Sequence, residues 1–225
     1  MKPLFSSIMM VGFCLCCMLL ISNPRTIAYG QTAPGSATLS PELNNLFLEL
    51  EEFGRKNNML NAPRTDGMFL RMIVEMIGAK QCLEIGSSDG YSSIWIGTGL
   101  KERNGHLTTL EIDPVKVKLA NENYKKAGLD KIITLVEGDA LKNLPTLSGP
   151  FDFVFIDAWK NDYYKYFQMV FPKVRAGGVI VAHNAISAKD AMKDYLDTVK
   201  NHPDLETVIL STTLQDGMAI SYKRK

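Results

Sequence analysis

Two glycines, Gly86 and Gly90, sit between an apolar run and a helical pattern in Glu84-Ile-Gly-Ser-Ser-Asp-Gly-Tyr-Ser92. The run before them, residues 81–85, reads as a buried strand, and residues 91–100 read as a helix. A strand, a tight glycine loop and a helix N-terminus form a seat for the polar end of a nucleotide-like cofactor. Dinucleotide sites use G-x-G-x-x-G, whose second glycine lets a pyrophosphate approach the backbone. Here Ser88 holds that second place, and the spacing is G-x-x-x-G. This argues against NAD and suits a cofactor without pyrophosphate, such as S-adenosylmethionine. Taken alone, the loop is equally well read as a tight strand-to-helix turn.

Four other strand ends carry chemistry. A second strand, residues 106–111, ends in Glu111 and Ile112, at the distance a nucleotide-binding βαβ unit needs. A carboxylate there can accept both ribose hydroxyls, or it can simply face solvent. Further on come Gly138-Asp139-Ala140, Asp157-Ala-Trp-Lys160 and His183-Asn184. In open α/β sheets ligands bind at the carboxyl ends of the strands, near the point where strand order reverses. Polar groups at five successive ends point to one site rather than to five unrelated turns.

The elements that must position these groups alternate. Helices are expected over residues 41–57 and around Leu70 to Ile77, with residues 62–67 as a loop or helix start. Strands follow at 81–85, 106–111, 132–137, 151–156 and 178–183. Helices are expected at 91–100, from Asp113 onward, at 162–171 and at 188–201. Asp113-Pro114 is an N-cap followed by Pro at the first helical position. Two final strands, 205–210 and 218–222, have too short a link for a helical crossover and must pair antiparallel. The fold class is α/β, a doubly wound, Rossmann-like, mostly parallel sheet with two extra N-terminal helices.

Composition sets outer bounds. The chain has 225 residues, a net charge of +1 and 46% hydrophobic residues. One domain plus a leader fits that length. No basic block suggests a nucleic-acid surface. Residues 1–30 carry Lys2, an apolar stretch over 8–21 and Ala28-Tyr-Gly30. That pattern is a secretory signal peptide, with an N-terminal membrane anchor as the alternative. The expected location is therefore exported, periplasmic or secreted. Residues 31–39 read as a linker and 40–225 as the folded domain. Cys14, Cys16 and Cys17 lie in the leader, leaving Cys82 as the one cysteine of the domain.

The motifs Leu83-Glu-Ile-Gly-Ser-Ser-Asp-Gly-Tyr-Ser92, Leu110-Glu-Ile-Asp113, Glu137-Gly-Asp-Ala140 and Phe151-Asp-Phe-Val-Phe-Ile-Asp-Ala-Trp-Lys160 occur in this order. As a set they resemble the S-adenosylmethionine-dependent O-methyltransferases of the catechol and caffeoyl-coenzyme A type. The resemblance spans residues 63–222 and implies a seven-stranded sheet with the last strand antiparallel. It implies that Gly86, Gly90 and Ser92 hold the methionine end of the cofactor, beside Glu84 and Tyr91. Glu111, next to Ile112, would take the ribose. Asp139 and Ala140 would lie by the adenine, and Trp159 would stack on it. Asp157 resembles a metal ligand and cofactor neighbour, Lys160 the general base and Asn184 a second metal ligand. A homodimer is also in keeping with the family.

One position departs from the family. His183 stands where a metal-dependent member has Asp. An all-oxygen set suits magnesium, whereas a histidine favours softer ions or no metal. The expected reaction is methyl transfer to a hydroxyl oxygen of a small phenolic acceptor, with Asp157 and Lys160 at the reacting end. Asp157 could instead cap the following helix, Lys160 could be a surface lysine, and His183 could only cap its strand. The competing functions are a non-catalytic adenosylmethionine- or nucleotide-binding domain and a nicotinamide oxidoreductase.

Overall fold

The computed structural model describes residues 39–213 and 216–225. The expected leader, residues 1–30, and nearly all of the expected linker lie outside the described residues. Among the described residues no helix is long and apolar enough to cross a membrane.

The chain runs α1 (Pro41–Asn57), α2 (Arg64–Met76), β1 (Gln81–Ile85), α3 (Tyr91–Lys101), β2 (His106–Glu111), α4 (Pro114–Lys126) and β3 (Ile133–Glu137). It continues through α5 (Ala140–Asn143), β4 (Phe151–Ile156), α6 (Tyr163–Val170), β5 (Val174–Ala182), α7 (Lys193–Asn201), β6 (Leu205–Ser211) and β7 (Gly217–Lys223). The sheet order is β3-β2-β1-β4-β5-β7-β6. Strand β7 pairs antiparallel with both β5 and β6; the remaining pairs are parallel. This is the expected doubly wound α/β sheet with its final pair at one edge.

Alternation along the strands builds two apolar layers. Cys82, Phe153, Phe155 and Val181 pack with α1–α4 on one face. Leu83, Ile85, Val154, Ile156 and Ile180 pack with α6 and α7 on the other. On the first face Phe47 of α1 stacks on Trp95 of α3, with centroids 4.0 Å apart. Ser40 caps α1 by accepting from the Leu43 amide, and Asp113 caps α4 by accepting from Val115.

Two element starts depart most from the expectations. Strand β5 starts at Val174 rather than at 178, because Gly177, at φ 76°, lets the chain slip register between Phe151 and Phe153 of β4 and continue. Helix α7 starts at Lys193 rather than at 188. The segment before it is pinned by Asp216, which accepts from the Ser187 amide at 3.1 Å and the Ser187 hydroxyl at 2.7 Å. Helix α2 begins at Arg64, so the expected loop or helix start at 62–67 is a helix start, with residues 64–67 as its first turn.

Strand order reverses between β1 and β4. Their following loops diverge there and open a crevice at the carboxyl edge of the sheet.

Candidate active site

That crevice is a cavity of about 920 Å³, ample for a nucleoside-sized ligand with a second molecule beside it. Its wall includes Gly86–Ser88, Tyr91, Ser92, Glu111, Ile112, Asp139, Ala140, Asp157–Lys160, His183 and Asn184. All five strand ends singled out in the sequence therefore meet in one place.

The glycine loop is shaped by close approach. Gly86 has φ 96°, and a Cβ there would lie 2.2 Å from the Asp157 carbonyl oxygen. Only glycine lets the ends of β1 and β4 come that close. Ser88 has φ 50°, and its amide donates to Glu111 Oε2 at 2.8 Å. Glu111 Oε1 accepts from the Ile112 and Asp113 amides at 3.0 Å each. Backbone donors thus hold the Glu111 carboxylate at the pocket wall. The α3 N-terminus is already served by an anion. Asp89, fully buried, accepts from the Tyr91 amide at 3.3 Å and from Asn61 Nδ2 at 3.1 Å. Burial raises the Asp89 pKa despite those bonds. A loop amide turned to Glu111 and a helix end covered by Asp89 leave no cradle for pyrophosphate, which a cationic sulfonium cofactor does not need.

Glu84 lies behind the wall rather than on it. It is fully buried and accepts from Ser92 Oγ at 2.6 Å, from Thr109 Oγ1 at 2.6 Å and from Ser93 Oγ. Burial pushes its carboxyl up to about 7 against the pull of those hydroxyls. Its place is to tie β1 to β2 and to the first turn of α3. Gly90 also sits back from the cavity, against Tyr124, whose Cε1 would be 2.5 Å from an added Cβ. Tyr91 lines the pocket while its hydroxyl donates to Glu51 of α1 at 2.7 Å. Asp139 caps α5 through the Leu141 amide at 2.9 Å. Trp159 and Ile112 are 69% and 66% exposed at the rim, available to cover a flat ring.

Lys160, Asp157, His183 and Asp66 form a row of alternating charges. Lys160 Nζ donates to Asp157 Oδ1 at 2.8 Å and to the Tyr163 hydroxyl at 2.9 Å. Asp157 Oδ2 lies 3.3 Å from His183 Nδ1, within ion-pair reach although outside hydrogen-bond geometry. His183 Nε2 lies 2.9 Å from Asp66 Oδ2. Burial alone would lower the His183 pKa, but the two carboxylates outweigh it and raise it to about 10. Burial works against charge on Asp157, and His183 and Lys160 overcome it to hold that carboxyl below its usual value.

Asp66 is the member of this row that sequence reading missed. It shares the buried stripe of α2 with Leu70, Ile73 and Val74. An acid on an otherwise apolar helical stripe is the signal that could have found it. Asp89, Asn61 and Asp216 were also passed over.

Asp157, His183 and Asn184 do not fit a metal ion as they stand. Both His183 nitrogens face carboxylates, Asp157 Oδ1 takes Lys160, and Asn184 Nδ2 donates to Asp216 Oδ2 at 2.5 Å. Among the described residues no group of three His, Cys, Asp or Glu side chains is arranged to hold one.

The sequence pattern of the O-methyltransferase family matches residues 36–223. The chain belongs to the O-methyltransferase family. A catechol O-methyltransferase of Niastella koreensis is 42% identical over 131 residues, which cover 56% of this chain and 59% of that protein. One from Mycobacterium tuberculosis is 35% identical over 173 residues, covering 70% of this chain and 78% of the relative. The structure of a Bacillus cereus O-methyltransferase in complex with SAH superposes with a TM-score of 0.73 at 26% identity, covering 80% of this chain and 91% of that one.

Proposed function

We propose that this O-methyltransferase takes its methyl group from S-adenosylmethionine and gives it to a hydroxyl oxygen of a small phenolic or catechol-like acceptor. The observation that carries the reading is the crevice where the glycine loop, Glu111 and the Asp157–Lys160 pair line one cavity. Binding of SAH by the Bacillus cereus structure and the naming of two relatives as catechol O-methyltransferases support it.

The residues present fit the cofactor. Glu111 would take the ribose, Asp139 and Ala140 would lie by the adenine, and Trp159 would cover the ring. Asn61 lines the pocket beside Asp89, and its Oδ1 is buried without a hydrogen-bond partner. The methionine ammonium would give it one. When bound, adenosylmethionine supplies an activated methyl on a sulfonium.

The protein's part is alignment and proton handling. A hydroxyl held in line with that sulfonium would take the methyl, leaving SAH, and give up its proton. The hydroxyl proton would go to Lys160 acting as the neutral amine. Asp157 fixes the Lys160 nitrogen at the cavity wall through Oδ1.

Calorimetric titration of the full chain with adenosylmethionine, SAH and NAD tests the cofactor. Saturable binding of the first two and not of NAD is expected. Binding of NAD with none of adenosylmethionine would overturn the reading. The leader is a separate matter: Lys2 and the apolar stretch over residues 8–21 support export, and N-terminal sequencing of the cell-derived protein decides whether residues 1–30 are removed.

A further inference from the structure

We infer that in this chain His183, clamped between Asp66 and Asp157, leaves the Asp157, His183 and Asn184 set unfit for a divalent ion, so that methyl transfer proceeds without one. The inference rests on the methyltransferase reading above.

The geometry carries it. His183 is 5% exposed at the end of β5, and its two ring nitrogens lie 2.9 Å from Asp66 Oδ2 and 3.3 Å from Asp157 Oδ2. A neutral imidazole has one N–H donor, and its other nitrogen presents a lone pair. Facing two carboxylates, a neutral ring would set that lone pair against an anion. The doubly protonated ring hydrogen-bonds Asp66 and turns its charge to Asp157. Two buried carboxylates also need a compensating cation. Asp66 is fully buried, and the structure sets His183 beside it as an ion-pair partner.

With each ring nitrogen turned to a carboxylate, His183 has neither free for a metal. Of the other members of the set, Asp157 Oδ1 accepts from Lys160, and Asn184 is oriented by its amide nitrogen donating to Asp216. His183 therefore keeps Asp157 ionised and in place, and Asp157 in turn aims Lys160 at the acceptor. Asp66 does not line the cavity. It is a positioning residue that acts through His183.

Two measurements decide this. The first is nitrogen NMR of the imidazoles in the chelator-treated full chain. His183 is one of three histidines and is assigned by the signal that His183→Gln removes. Two protonated ring nitrogens are expected at neutral pH, unchanged by added Mg²⁺ or Zn²⁺. A neutral tautomer, or a ring nitrogen that shifts on stoichiometric addition of either ion, overturns the inference. Asp66→Asn should move the signal toward the neutral form, which a merely structural role for Asp66 would not do. The second measurement is turnover with adenosylmethionine and a catechol in the presence of chelator. An unchanged rate is expected, and a loss of about tenfold or more restored by Mg²⁺ or Mn²⁺ overturns it. If no acceptor turns over at all, the methyltransferase reading fails, while the nitrogen spectrum still decides the state of His183.

Discussion

Asp66 Oδ2 and His183 Nε2 meet at 2.9 Å across 117 residues of sequence, joining the first turn of α2 to the end of β5. Both side chains are buried, and the contact ties the N-terminal helices to the carboxyl edge of the sheet. Helix α2 therefore belongs to the chemistry of the site as well as to its cover.

This contact gives stability a pH dependence. Asp66 and Asp157 face the ring, Phe155 packs 6.2 Å away, and Lys160 acts on it through Asp157. The His183 pKa is about 10 in the folded chain against a reference of 6.5. The folded state thus holds a proton that the unfolded state has released across that window. Its contribution is complete below pH 6.5 and is lost as pH rises to about 10. One extra bound proton corresponds to about 1.4 kcal/mol per pH unit. Denaturant titrations through the window should show this decline in the wild type and lack it in His183→Gln. Equal slopes would mean that His183 is neutral in the fold.

Asp157→Ala should keep adenosylmethionine binding and abolish transfer. If Asp157 served only as a helix cap, its loss would cost about 1 kcal/mol of stability and leave the chemistry intact. As the group that aims Lys160, it should cost several orders of magnitude in kcat with the cofactor Kd little changed. Single-turnover kinetics beside calorimetry separates the two; full activity in the variant would remove Asp157 from the reacting end.

Much of this site was legible because strand ends are local signals. A short apolar run followed by Gly86, Glu111, Asp139 or Asp157 can be read from neighbouring residues, and the alternation of elements says that those ends share an edge. The Asp66–His183 contact was not legible, since it depends on how α2 packs over the sheet. Glu84 looked like part of the binding loop from its position, but strand alternation and burial turn it toward Ser93 and Thr109. The late start of α7 escaped because Asp216, which pins the preceding segment, comes after the helix in sequence.

Glu84→Ala should lower stability more than it lowers cofactor affinity in the protein that remains folded. It strands the hydroxyls of Ser92, Ser93 and Thr109, at roughly 1–3 kcal/mol for each one left buried and unpaired. Urea denaturation measures this directly, and an unchanged midpoint would contradict the tethering role.

Glu111→Ala should weaken adenosylmethionine binding at least about tenfold, since a hydrogen bond to a charged group contributes roughly 1.5–3 kcal/mol. The same carboxylate anchors the Ser88, Ile112 and Asp113 amides, so the loop would loosen as well. Glu111→Gln keeps one acceptor oxygen and should fall between wild type and Ala. Unchanged affinity by calorimetry in the Ala variant would remove Glu111 from the cofactor site.

The most direct test of the account follows the methyl group itself. The full chain is incubated with adenosylmethionine labelled in its methyl carbon and a panel of phenols and catechols, and the products are read by carbon NMR. The account expects label in an aryl methyl ether, with one SAH formed per ether, in the wild type and not in Asp157→Ala. Adenosylmethionine that binds but never passes its methyl to an oxygen would contradict it and leave the chain a binding domain.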